Sequence, residues 1–124
     1  MARVLGIGGI FFKSRDRKAL AAWYQEHLGF AIGDYGGTEF RAAELPAQAY
    51  TVWSPFDEST TYFAPAEKEF MINLMVDELE PVLNRAAAGG AQVVGEIQEY
   101  DYGRFGWFLD PEGNKIELWE LPRS

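Results

Sequence analysis

The chain has 124 residues, a formal charge of −8, one histidine and no cysteine. This length is typical of a single domain, and the absence of cysteine excludes disulfides, thiolate metal sites and cysteine nucleophiles. An acidic domain repels phosphate backbones and the sequence has no long apolar run or signal-peptide pattern, so we expect no nucleic-acid or membrane partner and a cytoplasmic location.

The first half of the sequence is predicted to form one strand, one helix and three further strands. The helix is expected over Arg17–Leu28, because apolar residues recur there at helical spacing and Gly29 follows as a stop. The strands are expected at 4–13, 30–32, 38–42 and 49–53. A segment with two prolines follows at about 55–68, and loops of this length are often functional.

The second half repeats this order, with strands predicted at 70–76, 92–98, 105–109 and 115–120. Asp77 and Glu80 fit a capping box for a helix ending at Ala88, and Pro81 predicts a start one or two residues late. The helices begin about half the chain apart, so the sequence predicts an α+β fold of two tandem βαβββ modules, at about 1–54 and 69–124. Two such modules would form a cupped mixed sheet with the helices outside.

Two stretches resemble the vicinal-oxygen-chelate superfamily, which has the glyoxalase and bleomycin-resistance fold. The first is Asp16 followed by Ala21–Tyr24 and Leu28–Phe30, and the second is the turn and strand Asp110–Leu118. The resemblance covers nearly the whole chain. It implies a paired βαβββ fold, commonly a homodimer, used by glyoxalase I, extradiol dioxygenases, fosfomycin-inactivating transferases and antibiotic-sequestering resistance proteins.

In the metal-dependent members of that superfamily, four side chains in the cleft hold the metal. The resemblance places these positions at Gly9, Trp53, Met71 and Glu117. Only Glu117 offers an oxygen ligand, since glycine has no side chain, indole has no free lone pair and a thioether is too soft. The resemblance therefore implies a member that has lost its metal site, and we expect no metal and no other cofactor.

Glu117 alternates with Ile116 and Leu118 along the last predicted strand, so it is expected to face the cleft. There it is a candidate general base, although it can equally be a relic paired with Lys115 or Arg104. Further candidates for ligand binding are the aromatic, thioether, amide and guanidinium side chains expected near the cleft: Phe11, Trp53, Met71, Asn73, Met75, Tyr102, Arg104, Trp107 and Trp119.

Each of these candidates also has a plainer explanation. Arg104 is expected either to clamp an anionic group or to pair with Asp101 or Glu99. Met71 and Met75 suit promiscuous binding of flat molecules, or they fill space that a metal would occupy. The lone His27, near the end of its helix, is expected to be structural.

Three functions remain open at this point. The first is a metal-independent small-molecule-binding protein that holds a partly aromatic or apolar ligand in the concave cleft, as a homodimer. The second is a glyoxalase-like lyase or isomerase that uses Glu117 as general base or as a residual metal ligand. The third is a structural or regulatory module with a collapsed cleft, because a fold alone does not determine a function.

Overall fold

The computed structural model describes residues 1–123, and all of its strands lie in the second half of the chain. The elements in chain order are α1 (Arg17–Leu28), a 3-10 turn (Ala42–Glu44), β1 (Ile72–Val76), α2 (Leu79–Ala88), β2 (Gln92–Tyr100), β3 (Gly103–Leu109) and β4 (Lys115–Glu120). The predicted α+β class is confirmed. Neither of the helices in residues 1–123 is long and apolar enough to cross a bilayer.

The four strands form one mixed sheet in the order β1-β4-β3-β2. β1 runs parallel to β4, whereas β3 is antiparallel to both β4 and β2. Ile116 and Leu118 face the helices and pack in the main core with Leu79 and Leu83 of α2, as the alternation predicts. The opposite face of the sheet, which we call the open face, carries Lys115, Glu117 and Trp119 on β4.

Helix α1 is attached to the second half through the Asp110–Leu118 stretch. Asp16 caps the helix by accepting a hydrogen bond from the amide of Ala19. Glu112, from the turn, accepts hydrogen bonds from the Ser14 hydroxyl and from the amides of Arg15 and Asp16. The two stretches that carry the superfamily resemblance are therefore in direct contact.

Helix α2 begins late, as Pro81 predicts, but the prediction that Asp77 and Glu80 form a capping box is wrong. Asp77 accepts a hydrogen bond from the adjacent amide of Glu78 instead of capping the first turn. The amide of Leu79 donates to the carboxylate of Glu120 at 2.8 Å, and Glu80 is bound by Arg104. A carboxylate from β4 therefore satisfies an amide at the helix start.

The strands predicted at 4–13, 30–32, 38–42 and 49–53 are not formed, and within residues 1–123 no strand precedes Ile72. A strand is stable only when a neighbour satisfies its backbone groups and covers its apolar face. The first and last of these segments lack that cover: Phe11 is 94% exposed and Trp53 is 79% exposed. The tandem repeat of the βαβββ module thus stays a prediction. The second half of the chain has the order of one such module: a strand, a helix and three further strands.

Candidate functional site

Glu117 lies at the centre of a hydrogen-bonded group on the open face, and only 8% of it is exposed. The indole nitrogen of Trp107 donates to Oε2 at 2.8 Å. The amide nitrogen of Asn73 donates to Oε1, also at 2.8 Å. The hydroxyl of Tyr62 donates to Oε2 as well. Both carboxylate oxygens are therefore engaged, as a buried charge requires.

The strand register explains two of these three donors. Asn73 on β1 lies directly opposite Glu117 in the parallel pair, and Trp107 on β3 lies directly opposite it in the antiparallel pair. Directly opposed residues share a face of the sheet and have neighbouring side chains. The third donor, Tyr62, comes from the loop at 55–68, which crosses the open face.

Tyr62 is fixed by rings as well as by Glu117. Its ring stacks on Phe56 at 5.7 Å and meets Trp107 edge-on at 6.3 Å between ring centroids. Burial and then the hydrogen bond to Glu117 raise the pKa of the Tyr62 phenol above its usual range. The phenol therefore keeps its proton at neutral pH and acts as a hydrogen-bond donor.

Lys115 precedes Glu117 by two residues and lies on the same face with only 7% exposed. Its ammonium group donates a hydrogen bond to the backbone carbonyl of Tyr62 at 2.5 Å. It also lies 5.0 Å from the centre of the Tyr62 ring and 5.9 Å from that of Trp107, both within cation–π range. Burial lowers the pKa of Lys115, although the charge of Glu117 opposes this shift.

A cavity of about 280 Å³ opens beside this group. It is lined by residues of the loop, β2, β3 and β4: Tyr62, Val94, Gly95, Glu96, Gln98, Tyr100, Trp107 and Lys115. A larger cavity of about 580 Å³ lies in the first half, lined by Val4, Leu5, Gly6, Ile7, Thr51 and Trp53. We assign the candidate site to the smaller cavity, because rings and polar groups converge there.

Several of the residues predicted from the sequence lie on the open face. Trp107 and Asn73 contact Glu117 directly. Met71 and Met75 pack against the ring cluster of Phe105, Trp107 and Trp119. Within that cluster, Trp119 stacks on Phe105 with 6.0 Å between ring centroids.

Tyr102 lies at the edge of this cluster, and Arg104 is occupied by carboxylates. The backbone carbonyl of Tyr102 accepts a hydrogen bond from the indole of Trp119 at 2.9 Å. Arg104 forms a two-pronged pair with Glu80, at 2.8 and 2.5 Å. Glu120 lies 3.5 Å and Glu99 3.8 Å from the same guanidinium. Of the two roles predicted for Arg104, pairing with carboxylates is the one that this geometry shows.

Phe11 and Trp53 are not among the residues that line the cavity beside Glu117. The Phe11 ring lies over Gly9, so close that an added Cβ there would be 3.0 Å from it. Trp53 lines the larger cavity of the first half. The structure therefore does not bring these two residues to the group around Glu117.

The side chains present do not fit the metal of the vicinal-oxygen-chelate superfamily. Gly9, Trp53 and Met71 supply no oxygen or imidazole ligand, and three donors already engage the oxygens of Glu117. In the described part of the chain, residues 1–123, no three His, Cys, Asp or Glu side chains are grouped closely enough to hold a metal ion. We therefore assign no metal ligand to this site.

The role of Tyr62 was not predicted from the sequence, and Lys115 was considered only as a pairing partner of Glu117. Lys115 carried a usable signal, because it alternates with Glu117 and must share its face. Tyr62 carried none, since loop residues have no periodicity from which a direction can be predicted. Its position depends on the path of the loop across the sheet.

The sequence from residue 9 to residue 119 matches a family model described as a glyoxalase-like domain. The fold is similar to that of a protein of unknown function from Agrobacterium tumefaciens str. C58, with a TM-score of 0.56 and 18% identity over 96% of this chain and 100% of that one. At this identity the likeness concerns the fold alone. Among curated proteins, none matches this sequence.

Two other solved structures resemble shorter parts of the chain. One is a member of the glyoxalase/bleomycin resistance protein/dioxygenase superfamily from Sphaerobacter thermophilus DSM 20745, with 24% identity over 40% of each chain and a TM-score of 0.36. The other is a hypothetical protein from S. aureus, with 23% identity over 43% of each chain and a TM-score of 0.39. The matched part thus spans less than half the length of either. The family model matches most of the length of this chain, and the chain therefore belongs to the glyoxalase-like domain family.

Proposed function

We propose that this protein is a metal-independent small-molecule-binding protein of the glyoxalase and bleomycin-resistance type. Its ligand, partly aromatic or apolar, would lie in the cavity beside Glu117. The observation that carries the proposal is the convergence of Tyr62, Asn73 and Trp107 on Glu117 next to a cavity of about 280 Å³. Apolar walls with a few fixed polar groups are the usual composition of a ligand pocket.

The charge and size of the site restrict the ligand. The cavity is near the lower limit of the roughly 300–1,000 Å³ that is usual for ligand pockets, so it suits a molecule with about one ring. Glu96 lines the cavity and the chain carries a net charge of −8, which favours a neutral or cationic ligand over an anionic one. The rings of Tyr100 and Trp107 provide flat surfaces for stacking.

The binding proposal is tested by thermal unfolding with a neutral single-ring probe such as indole, with and without a chelator. A bound ligand at about 100 times its Kd stabilises the folded state by about 2.7 kcal/mol, so Tm should rise and the chelator should change nothing. The Trp107→Leu variant should lose the shift, whereas Trp53→Leu should keep it. A Tm shift that appears only after Zn, Ni or Mn is added would contradict the proposal.

An enzyme is the second candidate: a glyoxalase-like lyase or isomerase in which Glu117 is the general base. The observation that favours it is the direct hydrogen bond between the Tyr62 phenol and Glu117, which gives a proton a path between Glu117 and a residue that lines the cavity. For this candidate, Glu117→Gln should abolish turnover and keep ligand affinity. The version in which Glu117 is a residual metal ligand is not favoured, because within residues 1–123 no group of three His, Cys, Asp or Glu side chains could hold a metal ion.

We also propose that the protein is a homodimer, located in the cytoplasm. Large apolar side chains of the first half are exposed, including Leu5, Phe11 and Trp53, and an excess of exposed apolar surface marks an interaction site. A second copy would cover this surface and give the unpaired segments a neighbour. Light scattering at micromolar concentration should give twice the chain mass of 14.0 kDa, and a monomer at every concentration would refute the dimer.

A further inference from the structure

Lys115 differs from the other three lysines of the chain. Lys13 and Lys18 are exposed and Lys68 is half-buried, whereas Lys115 is buried on the open face. A lysine is almost never fully buried unless it is paired, yet within residues 1–123 the one hydrogen bond of this ammonium joins it to a neutral backbone carbonyl, that of Tyr62. Lys115 also lines the cavity beside Glu117.

The surroundings of Lys115 are those of a nucleophilic amine. A lysine is activated when it is desolvated in an apolar pocket, because more of it is then the neutral amine. Burial lowers the pKa of Lys115 in this way. The rings of Tyr62 and Trp107 form two walls around the amine, and Tyr100 and Val94 line the remainder of the cavity.

We propose that Lys115 forms a reversible imine with the aldehyde or ketone carbonyl of a small ligand bound in the cavity beside Glu117. This inference rests on the proposed binding function and names the chemical class of the ligand: a neutral carbonyl compound with about one aromatic or apolar ring. It assigns to Lys115 a covalent contact with the ligand that the residues around Glu117 do not provide.

The reaction balances without an oxidant, a reductant or a cofactor. The ammonium gives up one proton, and the nitrogen lone pair forms a bond to the carbonyl carbon while the carbonyl oxygen takes up a proton. The nitrogen then passes a second proton to that oxygen, which leaves as water as its C–O bond breaks; the C=N bond forms, and the imine nitrogen keeps one proton. The net change joins one ammonium and one carbonyl into one protonated imine and one water, so the total charge is unchanged.

The charge around the cavity favours a carbonyl over a carboxylate as the group that meets Lys115. Glu117 lies two residues away on the same face and Glu96 lines the same cavity, so an anionic ligand would be repelled. A protonated imine, in contrast, keeps the positive charge that Glu117 and the two rings already accommodate.

The test is reductive trapping with benzaldehyde and cyanoborohydride at neutral pH, with peptide mapping of each modified amine. Lys115 should be modified in a saturable way and faster than Lys18 and Lys13, because burial lowers its pKa and so raises its neutral-amine fraction. The Lys115→Arg variant keeps the positive charge and should lose the modification, whereas the Lys68→Arg variant should keep it.

Modification that falls on Lys13, Lys18 and Lys68 while Lys115 stays unmodified in the folded protein would overturn the proposal. If Lys115→Arg does not fold, the mapping on the wild-type protein decides alone. If indole raises Tm but benzaldehyde leaves Lys115 unmodified, the imine is refuted and the binding function stands. If indole leaves Tm unchanged and benzaldehyde leaves Lys115 unmodified, both proposals are refuted.

Discussion

The Tyr24 hydroxyl donates a 2.8 Å hydrogen bond to the carboxylate of Asp110, which lies 86 residues further along the chain. Asp110 also accepts hydrogen bonds from the Asn114 side chain and from the amides of Glu112 and Asn114. The two stretches that resemble the superfamily thus contribute to one buried polar group. These residues serve the fold, since they attach α1 to the turn before β4.

Replacing Tyr24 with Phe should lower the free energy of unfolding by about 1–3 kcal/mol, because a buried carboxylate oxygen loses a donor. Urea denaturation measures this change. The matched control is Tyr35→Phe at an exposed position, which should change stability by less than about 0.5 kcal/mol. Equal effects of the two substitutions would refute a stabilising role for the Tyr24–Asp110 hydrogen bond.

Stability should fall as the pH rises above 10. Burial, followed by the charge of Asp110, raises the pKa of Tyr24 above the ordinary tyrosine value of 10.0, and burial and Glu117 do the same for Tyr62. Above pH 10 the folded state therefore holds more protons than the unfolded state, so stability decreases with pH. Urea unfolding between pH 9 and pH 11 should show a shallower decrease for Tyr24→Phe than for wild type, and identical slopes would contradict the account.

The Glu80 carboxyl should titrate far below an ordinary glutamate. The hydrogen bond from Arg104 is the main cause that lowers its pKa from 4.5 to about 2. The folded state therefore binds fewer protons than the unfolded state between pH 4.5 and 2, so the stability from this pair is present above 4.5 and lost as the pH falls through that window. Carbon-detected NMR titration should find the Glu80 pKa near 2 in wild type and shifted upward, toward 4.5, in Arg104→Gln.

Replacing Tyr62 with Phe should loosen the loop at 55–68 while leaving the other donors to Glu117 in place. Because the ring is partly exposed, we expect a loss of about 0.5–1.5 kcal/mol, the net value of an ordinary hydrogen bond. The bond from Lys115 goes to the Tyr62 backbone carbonyl and survives the change. Faster amide hydrogen exchange confined to residues 55–68 would support this loop attachment, and unchanged exchange there would contradict it.

The sequence predicted the second half of the fold and the direction of Glu117, because both follow from local patterns. Strand alternation placed Ile116 and Leu118 in the core and Glu117 on the open face. The prediction of strands in the first half was wrong because a strand needs a neighbouring strand. The apolar pattern at 4–13 does not reveal whether such a neighbour is present in the same chain. Tyr62 escaped prediction because the path of a loop depends on tertiary contacts.

The central claim is that a small neutral ligand binds beside Glu117. The indole N–H signals in a proton–nitrogen NMR spectrum test it most directly. The chain has four tryptophans, and Trp107 donates its indole N–H to Glu117 whereas Trp23 donates its own to the carbonyl of Gly89, away from the cavity. On titration with indole, the Trp107 signal should shift in a saturable way while the Trp23 signal stays in place. A Trp107 signal that does not move, or equal shifts at both tryptophans, would contradict binding at this site.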